Sequence, residues 1–300
     1  CYNLDFLKKE KKYKDFTYVW IEAEKSLVVS YASSAVLARR ALELAVKWVF
    51  SYDQELQAPY QDNLASLIHD HRFKGIIDAN LFPMITYIQK LGNKAVHSAV
   101  PITRNQAVLT LHNLFEFTSW IDYCYSDKYD EIAFDESLLG DNEKESKTRE
   151  ELRDLYERLG AKDRKLEETI KENEQLRRAN AAKRIDNKKN REFKVDEISE
   201  FKTRKMYIDL EIELCGWQLG KDCLEEVEVE GMPNQAEFGF VDYVLFGDNG
   251  KPLAVIEAKK TSVSPRIGQI QAQRYADCLE KQYQVRPVIF YTNGFEYYLW

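Results

Sequence analysis

Apolar positions follow two different periods along this chain. Over Ser30 to Tyr52, Ala35, Leu37, Ala38, Ala41, Leu42, Leu44, Ala45 and Val46 recur at helical spacing among strong helix formers, which predicts an amphipathic helix. Further helical stretches fall at Asn63 to His69, Phe82 to Leu91 and Arg104 to Tyr125. Residues 1–135 therefore predict an all-helical bundle. Near the other end the period shortens. Gly239-Phe240-Val241-Asp242-Tyr243-Val244-Leu245-Phe246 and Leu253-Ala254-Val255-Ile256-Glu257-Ala258-Lys259-Lys260 are short runs rich in Val, Ile, Phe and Tyr, as paired strands require. Gly247-Asp248-Asn249-Gly250-Lys251-Pro252 between them has tight-turn chemistry. A helix from Arg266 to Gln282, opened by Pro265, and a strand within Arg286 to Gly294 complete the pattern. The fold class expected is α + α/β: a helical bundle over 1–135, a long linker helix over 136–194, and an α/β core with a mixed sheet over 195–300.

The linker expectation rests on charge. From Glu143 to Lys194 there is no Pro and the single Gly is Gly160. Leu152, Leu159 and Leu166 repeat every seven residues, with Leu155, Ile170 and Leu176 on nearby faces, a thin apolar stripe on a long helix. Asn173 and Asn180 continue the register, which suits a spacer better than an autonomous coiled coil. Arg177, Arg178, Lys183, Arg184, Lys188, Lys189, Arg191 and Lys194 against Asp186 and Glu192 give this end a net +6. It reads as a phosphate-facing stripe or, preferably, as a solvated linker helix.

Three ionisable groups enter the predicted sheet. Asp242 sits in the first strand, and Glu257 and Lys259 close the second. Alternation points Glu257 and Lys259 the same way. Burying such groups costs free energy unless they are paired, so they form either a structural salt bridge or a site. Two carboxylates suit a hard divalent ion such as Mg²⁺ (or Mn²⁺), which prefers oxygen ligands and keeps waters and phosphate oxygens in its shell. Asp242 and Glu257 would be the ligands, with the Ala258 carbonyl a third. Lys259 would orient an attacking water or stabilise developing negative charge.

Asp242, a hairpin, then Glu257-Ala258-Lys259 resembles the core motif of PD-(D/E)xK nucleases. Gln271 and Tyr275, four apart and on one helix face, resemble the additional Gln-x-x-x-Tyr motif of the nuclease domain in type I restriction enzyme R subunits. Glu200, Thr203-Arg204, Ile208-Asp209 and Cys215-Gly216-Trp217 resemble that domain's opening helix, and Thr292-Asn293-Gly294 its hairpin. The resemblance covers residues 195–300 and implies a restriction-endonuclease-like core. It assigns catalysis to Asp242, Glu257, Lys259, Gln271 and Tyr275, with Glu200 a possible additional acid. It implies Mg²⁺-dependent cleavage of double-stranded DNA, in complex with methyltransferase and specificity subunits. ATP would be used only by translocase domains expected after Trp300. Each residue also has a plainer reading: Gln271 and Tyr275 as a polar helix pair, Glu200 as a first-turn acid, Arg204 as a surface residue rather than a phosphate contact. Trp217 and Tyr297-Tyr298-Leu299-Trp300 read as packing.

Arg39-Arg40-Ala41-Leu42-Glu43 and Leu91-Gly92-Asn93-Lys94-Ala95-Val96-His97-Ser98 resemble a HEPN-like helical domain. Some HEPN proteins are ribonucleases that place an Arg four to six residues before a His. Here Lys90, Leu91 and Gly92 occupy the matching places before His97, which sets a HEPN-type ribonuclease or defence effector behind the nuclease reading. A non-catalytic DNA-binding module is the other alternative. His69, His71 and His112 read as structural or solvated. The walker-type Gly-x-x-x-x-Gly-Lys-Ser/Thr pattern is absent. The odd set Cys1, Cys124, Cys215, Cys223 and Cys278 lacks metal spacing, so reduced thiols and no zinc are expected. No run reaches the roughly 20 apolar residues of a membrane span, and a cytoplasmic protein is expected. Residues 195–300 carry seven Lys and four Arg against six Asp and twelve Glu, a net −7. Because DNA affinity comes largely from phosphate neutralisation, this part should hold DNA poorly alone.

Overall fold

The computed structural model describes residues 2–57, 59, 63–97, 100–140, 174–194, 200–233, 237–259 and 264–300. The chain divides into two compact units, Cys1–Asp196 and Glu197–Trp300. Leu152, Leu155, Leu159, Leu166, Ile170 and Asn173 of the expected linker lie outside the described residues.

The first unit is helical: α1 Lys14–Ser26, α2 Tyr31–Tyr52, α3 Leu64–His69, α4 His71–Ile76, α5 Leu81–His97, α6 Arg104–Tyr125 and α7 Glu174–Asn190. Starts follow side-chain capping. Ser30, Asn63 and Asp70 accept from first-turn backbone N–H groups, and Thr103 and Gln106 form a capping box. Helix α1 is absent from the sequence expectation, yet Phe16, Val19, Trp20 and Ala23 on it are buried at helical spacing. Helix α5 runs past the expected end at Leu91 to His97, and within it Gly92 faces α2. A Cβ there would stand 2.5 Å from Arg39 Cβ.

Helix α7 does not behave as a solvated spacer. Its buried face is largely polar, carrying Asn180, Arg184 and Asn187 beside Ala181, while Leu176 and Ile185 are exposed. The helix docks onto helix C-termini, where carbonyls lack intrahelical partners and the dipole favours cations. Arg177 donates to the carbonyls of Phe50 and Asp53 at the end of α2 and, at 2.8 Å, to that of Leu56. Lys188 donates to Ile76 at the end of α4 at 2.7 Å. Asn187 donates to Cys124 at 2.7 Å and Arg191 to Tyr123 at 2.8 Å, both in the last turn of α6. Much of the basic stripe is thus engaged inside the unit.

Two acids in this unit titrate high. Burial raises Glu24 to about 7, against hydrogen bonds from Asn3 that favour its ionised form. Burial also raises Asp122 to about 6, aided by the charge of Glu10. An acid whose folded-state pKa exceeds its unfolded value near 4 binds its proton more tightly when folded. Its contribution is complete below pH 4 and is lost as pH rises toward 6 to 7. The helical unit should therefore melt several degrees lower at pH 8 than at pH 5, and Glu24→Gln should flatten that slope in calorimetry.

The second unit opens with α8, Glu200–Leu214, followed by β1 Cys223–Glu230, β2 Phe238–Phe246, β3 Pro252–Ala258, α9 Gln269–Tyr283, β4 Val288–Thr292 and β5 Tyr297–Leu299. The strands form one mixed sheet in the order β1-β2-β3-β4-β5, with β3 and β4 parallel and the other pairs antiparallel. Helix α9 supplies the crossover that the parallel pair requires. The β2–β3 turn closes with Gly247 N–H to the Lys251 carbonyl at 2.9 Å, and Gly250 takes the positive φ of 70° that glycine tolerates. Val229, Val241, Val244 and Val255 pack with Ala272, Tyr275 and Leu279 of α9. Tyr243, Leu245, Ala254 and Ile256 pack on the other face with Ile208 and Ile212 of α8.

Strict alternation fails at one place. Val241 and Tyr243 are two apart yet belong to opposite faces, as are Cys223 and Val227 with even spacing on the paired strand. The break lies at Asp242 on β2 and, opposite it, at Glu226 on β1, which has a positive φ of 49°.

Candidate active site

That break is where the sequence-predicted site assembles. The β2–β3 ladder runs from Phe246↔Pro252 to Tyr243↔Ile256; beyond it β2 continues beside β1 and β3 beside β4. The next residues, Asp242 and Glu257, stand where the two strands part. Asp242 Oδ2 accepts the N–H of Ala258 at 2.6 Å, replacing the strand partner that this ladder N–H would otherwise have. Beside it, Tyr243 donates through its hydroxyl to Asp209 of α8 at 2.9 Å, which ties β2 down next to the break. Burial raises Asp209, and Lys205 at 3.1 Å opposes that rise.

Glu257 is 3% exposed and points toward α9. Lys259 Nζ lies 2.7 Å from Glu257 Oε1 and 2.8 Å from Gln271 Oε1. Gln271 Nε2 in turn donates to the Tyr275 hydroxyl at 2.7 Å. An ammonium only donates, so Gln271 must turn its carbonyl oxygen to Lys259 and its NH₂ to Tyr275. The helical spacing of Gln271 and Tyr275 thus becomes a bracket that holds the lysine. Burial raises the Tyr275 pKa; the hydrogen bond from Gln271 opposes this, and the charges of Glu257 and Asp242 add to it. The phenol therefore lies within electrostatic reach of both carboxylates and stays protonated at neutral pH. The end of β3 is fixed from its other side, since Lys259 N–H donates to the Thr292 carbonyl at 2.7 Å. Thr292 and Asn293 then build the turn into β5 through bonds to Gly294, Phe295 and Glu296.

Five predicted residues, Asp242, Glu257, Lys259, Gln271 and Tyr275, thus gather around one strand end. Ala258 takes part through its N–H. Glu200 begins α8, and its side chain, like that of Arg204, is outside the described residues. Trp217 packs against the α8 face of the sheet and Tyr298 stacks on Tyr291 at 5.3 Å. In the helical unit His97 ends α5, and His112 lies 3.6 Å from Glu116 and edge-on to Phe134. Sequence reasoning passed over Gly239 as a site residue. A Cβ there would stand 2.8 Å from Tyr275 Cε1, so its lack of a side chain lets the phenol reach β2. An isolated Gly in a strand is the signal for such close approach.

Oxygen donors on adjacent strands, with an ammonium beside them, match the set a Mg²⁺ or Mn²⁺ ion selects, in which one or two carboxylates suffice. Among the described residues no group of three or more His, Cys, Asp or Glu converges as a metal site. Residues 117–300 match the family described as the type I restriction enzyme R protein N terminus. The chain belongs to this family. The match to the R-protein N terminus spans every residue of the site and also α7 of the helical unit. Residues 21–154 match a second family, a domain of unknown function, DUF4145. No curated protein and no solved structure matches the chain. No helix among the described residues is long and apolar enough to cross a membrane.

Proposed function

We infer that this R-protein region is a metal-dependent endonuclease that hydrolyses phosphodiester bonds of double-stranded DNA. The observation that carries the reading is the continuous chain Glu257, Lys259, Gln271, Tyr275 beside Asp242. A structural salt bridge needs only its two ions. Here the lysine is held by a second, neutral acceptor on another element, and the carboxylates flank a gap between strands.

Asp242 and Glu257 would hold a Mg²⁺ or Mn²⁺ ion, with the Ala258 carbonyl as a third ligand. Bound there, the ion would lower the pKa of a water and offset phosphoryl charge. Lys259 spends two of its three donors on Glu257 and Gln271, which leaves one for a substrate oxygen or the attacking water. Gln271 and Tyr275 fix the direction of that donor. Because residues 195–300 carry a net −7, delivery of DNA falls to other parts of a restriction-modification assembly: methyltransferase and specificity subunits, and ATP-driven translocase domains of the full R subunit. Such an assembly works in the cytoplasm.

The test separates ligands from bracket. Calorimetric titration of the chain with Mn²⁺ should show binding that Glu257→Ala lowers sharply, while Gln271→Ala and Tyr275→Phe keep it and lose cleavage in the assembled enzyme. Equal loss of metal binding in Tyr275→Phe would contradict the geometry. Metal binding with no cleavage by the unaltered enzyme would indicate a retained binding module instead.

A further inference from the structure

The N-cap residue just before α9 is Gly268, and nothing in its backbone calls for glycine. Its φ of −76° and ψ of −13° are right-handed helical values open to every L-residue. Glycine is only modestly favoured before a helix, and it makes no side-chain cap here. Its surroundings give the reason. A Cβ on Gly268 would stand 2.9 Å from Lys259 Cε, 3.3 Å from Lys259 Cγ and 3.1 Å from Glu257 Cγ. The lysine stem therefore crosses the face of this glycine on its way from β3 to Gln271.

We propose that Gly268 is a positioning residue for DNA cleavage: the absence of a side chain at the start of α9 sets where the Lys259 ammonium sits. The proposal rests on the nuclease reading above. The two contacts differ in compliance. Glu257 is buried at 3% exposure in the strand, whereas the Lys259 side chain is 23% exposed and has four methylenes to rotate. An added methyl group displaces the lysine first. Its ammonium is bonded at both 2.7 Å and 2.8 Å, and displacing Cε draws it off the one position that satisfies both acceptors. The carboxylates stay in place, so metal binding persists while the donor to the substrate is misdirected. Misplacement on the scale of an ångström is enough to lose a large factor in rate.

The experiment compares Gly268→Ala, Lys259→Ala and the double variant in the assembled enzyme, reading cleavage rate at saturating DNA, Mg²⁺ half-saturation, ATP hydrolysis and melting temperature. The expected result for Gly268→Ala is a fall in cleavage of about tenfold to a hundredfold with unchanged ATP hydrolysis and Mg²⁺ half-saturation. Near-normal cleavage by Gly268→Ala while Lys259→Ala is inactive overturns the proposal and leaves the nuclease reading intact. Normal cleavage by Lys259→Ala overturns both. A rise in Mg²⁺ half-saturation for Gly268→Ala shows that Glu257 moved instead and overturns the assignment to the lysine. Should Gly268→Ala lower the melting temperature, the double variant decides: removing the lysine stem restores melting if the stem is what the methyl strikes, and failure to restore it refutes the proposal.

Discussion

Glu257→Gln should lower DNA cleavage by the assembled enzyme roughly a thousandfold, with ATP hydrolysis at its normal rate. The side chain is buried, it keeps one oxygen on Lys259 Nζ at 2.7 Å, and the substitution preserves its volume. What would be lost is the negative charge that, on the proposed reading, a hard cation selects. Asp242→Asn should have the same effect for a related reason, and it separates chemistry from structure. The amide oxygen of Asn can still accept the Ala258 N–H now bonded at 2.6 Å, so melting should be unchanged. Asp242→Ala leaves that ladder N–H without its acceptor and should cost about 1 kcal/mol as well. Cleavage within tenfold of normal by either isosteric variant, in a plasmid-cutting assay with ATP turnover measured in parallel, would remove the carboxylates from the mechanism.

Much of the candidate site was legible because its residues break local expectation. Acids and a lysine inside Val- and Ile-rich strands call for partners, and the spacing of Glu257 to Lys259 and of Gln271 to Tyr275 is enough to place each pair on one face. The hairpin between Phe246 and Pro252 was equally readable, since its Gly and Asn residues have few other uses. The failure of alternation at Asp242 was not. It depends on Glu226 of the neighbouring strand adopting a left-handed φ, which no one-dimensional period encodes. Gly239 and Gly268 escaped for the opposite reason: their role lies in what they lack, and only the tertiary neighbours Tyr275 and Lys259 show it.

Helix α7 shows the limit of hydrophobic patterning most directly. The heptad Leu152, Leu159 and Leu166 lies outside the described residues, and its continuation took Asn180 as an interruption; in α7, however, Leu176 and Ile185 are exposed and Asn180, Arg184 and Asn187 are buried. The helix is recruited by unsatisfied carbonyls rather than by an apolar groove, so its polar residues are the informative ones. This also bears on DNA binding. Arg177, Arg184, Lys188 and Arg191 are committed to intramolecular acceptors, which weakens the case for a phosphate-facing stripe.

The consequence is a large expected stability effect within the helical unit. Asp53 is fully buried at the end of α2, where its Oδ2 accepts from Arg184 Nε at 2.6 Å and from the Tyr125 hydroxyl at 2.8 Å. The Arg184 guanidinium also bonds Glu55. Burial disfavours the Arg184 charge, but these carboxylates more than offset that and raise its pKa. Arg184→Met should therefore destabilise the helical unit by about 3–5 kcal/mol, because it leaves Asp53 charged and buried without its cation. Adding Asp53→Asn should recover a substantial part, since the amide still accepts from Tyr125 and carries no charge; the non-additivity is the signature of a direct pair. Urea unfolding followed by far-ultraviolet circular dichroism measures both. If Arg184→Met costs no more than about 0.5 kcal/mol, as a substitution on a solvated surface would, then α7 is a tethered linker after all and its basic residues are available to DNA.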